Sequence, residues 1–171
     1  SMYTTPGFAN AIPGLTNALH SESPLLSISG SADLSEAGRG SMQEIDQVGM
    51  ASSVVKESLT VYDARRIPDT IARAVRIAFS GRRGPVHLTI PIDIQDQEID
   101  ENEVVFYNPD EYRASESMNA SPALVQQAVA LMREAKRPFV IAGDAAGYAQ
   151  SGEVLQKFAE TTRMPILTEG Q

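Results

Sequence analysis

The chain's apolar residues recur with two different spacings, and the spacing changes mark out its elements. From Pro68 to Phe79, Ile71, Ala74, Val75 and Ala78 return at helical intervals while Arg73 and Arg76 turn away, which predicts an amphipathic helix. A Gly81-to-Pro85 turn follows. It leads into Val86 to Ile90, a β-branched run short enough for one strand, which Pro91 ends because it brings no amide to a sheet ladder. After Asp93 the pattern stops, and the acidic, aperiodic stretch that follows reads as a linker, residues 95–120.

Upstream, Phe8, Ile12, Leu15 and Leu19 keep one helical face, with Pro13-Gly14 expected to kink or break it. Leu25, Leu26 and Ile28 before Gly30 predict a strand buried on both faces, as where helices cover a parallel sheet. Residues 31–41 form a small, polar, glycine-punctuated loop, either mobile or held by a ligand. A short helix is expected from Met42 to Met50 with Met42, Ile45 and Val48 inward, and a strand from Lys56 to Val61.

Beyond the linker, Ser121-Pro122 opens a helix with Leu124, Ala128, Leu131 and Ala135 on one face. Phe139 to Ala142 reads as a strand, 144–150 as a loop, Gly152 to Thr162 as a helix with Val154, Leu155, Phe158 and Ala159 inward, and Met164 to Thr168 as a second strand. Strand, helix and strand make one right-handed crossover. The fold class is therefore α/β, two partial parallel-sheet layers, the second Rossmann-like. The expected divisions are 1–94, the linker 95–120, and 121–171.

Composition narrows the function more than the fold. The 171 residues are 42% hydrophobic, enough for packed cores, and carry a net charge of −8 with scattered basic residues, which argues against a nucleic-acid partner. Cysteine is absent, so there is no disulfide framework, thiolate nucleophile or zinc-thiolate site; a cytoplasmic setting fits. No apolar run approaches the roughly 18 residues of a membrane span, so no membrane partner is expected, and the start resembles no signal or transit peptide.

Several residues invite chemistry and are better explained otherwise. His20 and His87 have neither a paired histidine nor a helical metal spacing. Ser41 has no elbow motif around it. The acids from Asp96 to Glu103 suit a solvated linker, and Arg82-Arg83 a surface turn. Gly143-Asp144-Ala145-Ala146-Gly147 stands between strand and helix, where nucleotide phosphates lie in other folds, but Asp144 would repel a phosphate and a plain structural turn is the simpler reading.

Taken in order, Thr5-Pro6-Gly7-Phe8-Ala9-Asn10, the strand Pro24 to Gly30, the pair Gln43-Glu44, and Gly81 to Asp93 resemble the thiamine-diphosphate enzymes. Within them the chain is similar to the acetolactate synthase branch, which includes benzaldehyde lyase, 2-hydroxyacyl-CoA lyase and oxalyl-CoA decarboxylase. The resemblance implies that 1–94 is the C-terminal half of a pyrimidine-binding domain and 121–171 the N-terminal part of the central Rossmann-like domain. It implies that Pro6, Gly7 and Asn10 contact the cofactor's pyrimidine ring; on local sequence they also suit a turn and helix cap, and Thr5 replaces the glycine commoner in the family. It implies a substrate-facing role for Gln43, whose neutral amide can bond a carbonyl or alkoxide without adding charge; a solvated helix start is the alternative.

The same resemblance implies thiamine diphosphate and Mg2+ as cofactors of the parent enzyme, with FAD or ADP, or nothing, in the central domain. No residue here corresponds to the family's ylide-forming glutamate or its magnesium motif, so the chain alone is expected to be inactive. The parent is expected to be a lyase or transferase, making or breaking a C–C bond of a small-molecule 2-keto acid, aldehyde or hydroxyacyl-CoA. A homo-oligomer, dimer or tetramer, is also implied. The other reading is a noncatalytic Rossmann-like scaffold or nucleotide-binding module.

Overall fold

The computed structural model describes residues 4–113 and 119–169; the 114–118 part of the expected linker lies outside them. The chain divides into two compact units, 1–115 and 116–171.

The first unit opens with helix α1, Thr4–His20, which runs through Pro13. The expected break does not occur. Pro13 and Gly14 are exposed, so the helix forfeits a hydrogen bond on its wet side while Phe8, Leu15 and Ala18 are buried on the other. Strand β1 is Leu26–Ser31, followed by α2, Gln47–Ala51, β2, Glu57–Thr60, α3, Ile67–Phe79, and β3, Val86–Pro91. The three strands are parallel in the order β1-β3-β2, which leaves β3 central. Its position explains why Gly84 to Thr89 is continuously buried.

The two faces of this sheet differ. Val86 and Leu88 of β3 pack with Leu26, Ile28 and Leu59 against Ala74 and Ala78 of α3. On the opposite face the register places Ser27 beside His87 and Ser29 beside Thr89, all four buried beneath α1. The expectation that β1 is apolar on both sides is thus corrected: its leucine and isoleucine serve one face, its serines the other, and Leu25, before the strand, is 41% exposed. Alternation at period 2 was present in Leu-Ser-Ile-Ser and was overridden by overall apolarity.

The expected helix at 42–50 is also corrected. Asp46, whose side chain accepts from Gly49 N at 2.8 Å, caps a helix that starts only at Gln47. Met42 is 83% exposed and Ile45 46%, while Gln47 and Ala51 face the core.

Residues 95–113, read from sequence as linker, fold onto this unit. After β3 the short helix α4, Ile92–Gln95, buries Ile94 with Val61 and Ala64, and Gln97 Oε1 accepts from Ala64 N at 3.1 Å. Following α5, Pro109–Tyr112, the Arg113 guanidinium lies 4.6 Å from the Phe79 ring centroid. The acids nearby do not stay purely solvated, since Glu103 pairs with Arg65.

The second unit contains α6, Pro122–Glu134, β4, Val140–Ala142, α7, Asp144–Tyr148, α8, Gly152–Thr162, and β5, Ile166–Thr168, with β4 and β5 parallel. The order of strand, helix and parallel strand follows the sequence reading, except that most of the expected 144–150 loop is the helix α7. None of this unit's described residues is buried: Leu124, Leu131, Val154 and Ile141 are all more than 60% exposed. A two-stranded sheet has too little surface to enclose the apolar faces that the sequence supplies.

Candidate functional site

Thr5, Gln43 and Gln47 meet where the start of α1 crosses the chain entering α2. Gln47 is only 2% exposed, and all four hydrogen-bonding positions of its carboxamide are used. Nε2 donates to Gly30 O at 2.9 Å and to Thr5 Oγ1 at 3.3 Å. Oε1 accepts from Ser29 Oγ, and from Thr89 Oγ1 at 3.5 Å. The Thr5 hydroxyl, having accepted from Gln47, donates to Gln43 O. Pro6 and Gly7, one and two residues further along α1, are thereby brought to the same edge as Gln43. Pro6, Asn10 and Gln43 are exposed, and the Asn10 carboxamide takes no hydrogen bond among the described residues. Gly7, half-buried, adds no side chain at this helix start.

Behind this edge the polar face of the sheet is hydrogen-bonded around His87, although the Ser58 hydroxyl, in register with His87 on β2, is buried with no partner among the described residues. Ser29 spends its proton on Gln47, and its oxygen lies 3.3 Å from His87 Nε2, with Thr89 Oγ1 3.1 Å from the same nitrogen. Ser27 Oγ lies 3.0 Å from Nδ1, so both ring nitrogens have hydrogen-bond partners. The imidazole is stacked under Phe8, ring centroids 4.2 Å apart and planes at 29°. Enclosure without a counter-charge disfavours imidazolium and pushes the His87 pKa down to about 4. His87 is a neutral structural histidine.

The 31–41 loop is held by an internal carboxylate. Glu44 accepts from the amides of Gly38, Gly40 and Ser41, the last two at 2.8 and 3.2 Å. These three amides lower the Glu44 pKa, led by Gly38. Gly38 and Gly40 have φ of 78° and 72°, which lets their amides converge on one anion. Gln43, with φ of 64°, adopts the same region at a cost of order 1 kcal/mol. At the carboxyl ends of the strands a cavity of about 130 Å³ opens between Ser31, Thr60, Thr89, Pro91, Asp33 and Glu44. Open α/β sheets bind ligands at that end.

Elsewhere, Arg82 donates to Glu22 at 3.0 Å and the Arg83 guanidinium lies 5.7 Å from the Phe79 centroid, as a surface turn would arrange them. In the second unit Gly143 precedes α7, and a depression is lined by Gly143, Asp144, Tyr148, Leu155, Thr168 and Glu169. Its two carboxylates oppose a phosphate. Among the described residues no group of three or more His, Asp or Glu side chains could hold a metal ion.

Sequence reasoning named Pro6, Gly7, Asn10 and Gln43 as candidates and marked Thr5 only as a departure from the family glycine; it did not single out the buried Gln47 that joins Thr5 to the sheet. Asp46 as an N-cap was the available signal, since moving the helix start there turns Gln47 inward.

Residues 1–50 match the family model described as thiamine pyrophosphate enzyme, N-terminal TPP binding domain, and residues 125–171 match the thiamine pyrophosphate enzyme central domain. The chain is 36% identical over 165 residues to a 2-hydroxyacyl-CoA lyase of Arabidopsis thaliana, covering 95% of this chain and 29% of that protein. It is 31% identical to the oxalyl-CoA decarboxylase of Escherichia coli strain K12, covering 96% and 29%. Against a probable acetolactate synthase large subunit of Methanocaldococcus jannaschii the identity is 30%, covering 95% and 28%. The chain thus spans under a third of the length of these relatives. Two successive domain matches, in the order in which the two parallel-sheet units occur, place this chain in the family of thiamine pyrophosphate enzymes.

Proposed function

We propose that these residues form part of the pyrimidine site of a thiamine-diphosphate-dependent lyase or transferase. The enzyme makes or breaks a C–C bond of a 2-keto acid, an aldehyde or a hydroxyacyl-CoA. The observation that carries this reading is the joining of the α1 start to Gln43 through the Thr5 hydroxyl, which sets the two motif segments side by side. Names among the relatives, 2-hydroxyacyl-CoA lyase, oxalyl-CoA decarboxylase and acetolactate synthase, support the reaction class.

The residues present fit the pyrimidine end of the cofactor. Asn10 offers an exposed donor and acceptor, Gly7 adds no side chain, and Pro6 offers an apolar edge. Gln43 presents a neutral amide toward the substrate. Thiamine diphosphate, when bound, supplies the nucleophilic carbon and the electron sink for the C–C step. Orientation of the ring is this chain's own contribution. The residues present do not fit Mg2+, whose ligands would have to come from outside the described residues. FAD or ADP at Gly143–Gly147 is disfavoured by Asp144 and Glu169.

We assign the pyrimidine-binding part to residues 1–94 and the central part to 121–171. The exposed apolar residues of the second unit support homo-oligomerisation, and the absence of cysteine a cytoplasmic setting.

Calorimetric titration of the intact natural protein with thiamine diphosphate and Mg2+ tests the reading. Saturable binding is expected, weakened about tenfold in Asn10→Ala, roughly the worth of one good hydrogen bond. No binding, or binding of ADP or FAD alone, would refute it in favour of a nucleotide-binding scaffold.

A further inference from the structure

We infer that Thr5 and Gln47 are positioning residues of this site, forming a polar strap that sets the Gln43 backbone against the start of α1. The inference rests on the proposed function and goes beyond it. Neither residue touches substrate in this reading; each acts through another.

The argument is one of hydrogen-bond direction. The donors run outward from the sheet: Ser29 to Gln47, Gln47 to Thr5, and Thr5 to Gln43 O, with His87 and Ser27 hydrogen-bonded behind Ser29. The Thr5 hydroxyl accepts from Gln47 on its inner side and donates to the Gln43 carbonyl on its outer side. The strap's inner end is anchored in β1 and β3, because Ser27, Ser29, His87 and Gln47 are each no more than 5% exposed. Its outer end terminates on a residue held at positive φ, a conformation that a non-glycine residue keeps only under outside restraint. Thr5 is the hinge of the arrangement. A glycine or alanine there would have no hydroxyl, and the Gln43 carbonyl would lose its link to the sheet.

Chemistry separates the possible substitutions. Thr5→Ser keeps the hydroxyl; Thr5→Val keeps the shape and removes it. Gln47→Leu keeps the volume and removes all four bonds, whereas Gln47→Glu keeps the acceptors and removes the donors to Thr5 and Gly30.

Two readouts on the intact protein test this. Amide hydrogen exchange at 42–45 should rise about tenfold in Thr5→Val and Gln47→Glu and stay within about twofold of wild type in Thr5→Ser, a tenfold change corresponding to the loss of one hydrogen bond. In parallel, the calorimetric dissociation constant for thiamine diphosphate and the substrate KM should both worsen in Thr5→Val, with Thr5→Ser restoring them and the melting temperature of the two variants nearly equal. A merely structural role would lower the melting temperature without changing cofactor affinity in the folded fraction, and that result overturns the inference. Wild-type exchange at 42–45 unchanged by Thr5→Val also overturns it. If the wild-type protein fails to bind thiamine diphosphate, the functional reading falls and the positioning role falls with it, a result distinct from equal binding by wild type and Thr5→Val.

Discussion

Acidification from pH 7 to 5 should destabilise this protein largely through His87. The ring is fully enclosed, its hydrogen-bond neighbours are the hydroxyls of Ser27, Ser29 and Thr89, and its stacking partner is Phe8. With a folded pKa pushed down to about 4 from the ordinary 6.5, the unfolded chain takes up a proton between those values that the folded chain refuses. Stability therefore falls as pH falls through this window, by about 2 kcal/mol at pH 5 and approaching about 3 kcal/mol below pH 4. The carboxylates with depressed pKa, Glu44 and Asp63, lose their contributions lower down, below their ordinary 4.5 and 3.8, so the histidine's window is separable from theirs. Urea unfolding followed by far-UV circular dichroism at pH 7 and pH 5 reads the difference. His87→Gln, which cannot titrate, should start less stable at pH 7 but lose far less on acidification. Equal losses in wild type and His87→Gln, or the assigned His87 imidazole resonance titrating near 6.5 in the folded protein, would refute the reasoning.

Truncating the ring above the histidine, Phe8→Ala, should cost about 3 to 5 kcal/mol in the same assay, because Phe8 is completely buried. Gly14→Ala and Gly40→Ala should move in opposite directions. An added Cβ at Gly14 meets open space within a helix and should stabilise by about 0.5 to 1 kcal/mol, whereas Gly40, at φ of 72°, should be destabilised by about 1 kcal/mol, both read as shifts in melting temperature. Removing the helix cap with Asp46→Ala should cost about 1 kcal/mol and raise amide exchange at Gly49. Glu44→Gln should speed exchange at Gly38, Gly40 and Ser41 because a carboxamide offers one acceptor oxygen where the carboxylate offers two.

The parallel strands, α3 and the crossover of the second unit were legible because their apolar spacing is unambiguous. Two features of the site region were not. Reading Met42 to Met50 as one helix took Met42, Ile45 and Val48 as the inner face, and only the Asp46 cap moves the start to a place where a polar residue turns inward. Burial of serines, a histidine and a glutamine is invisible to hydropathy, since each is tolerable inside only when its partners on other strands are known. Of the kink or break expected at Pro13-Gly14, the break does not occur, because the local helix breaker is outweighed by tertiary packing of Phe8 and Leu15. Pro6, Gly7, Asn10 and Gln43 became candidates through family resemblance alone, while the hydroxyl that joins their segments departs from the family pattern and carried no such signal.

The carboxylate of Glu44 occupies a nest of amides that a loop of this composition would otherwise leave to water. Ordering of that segment is consequently charged to folding rather than to ligand capture. A molecule arriving at the strand ends finds a rim already shaped, so association there should release little conformational entropy penalty and proceed at a rate set by diffusion and orientation.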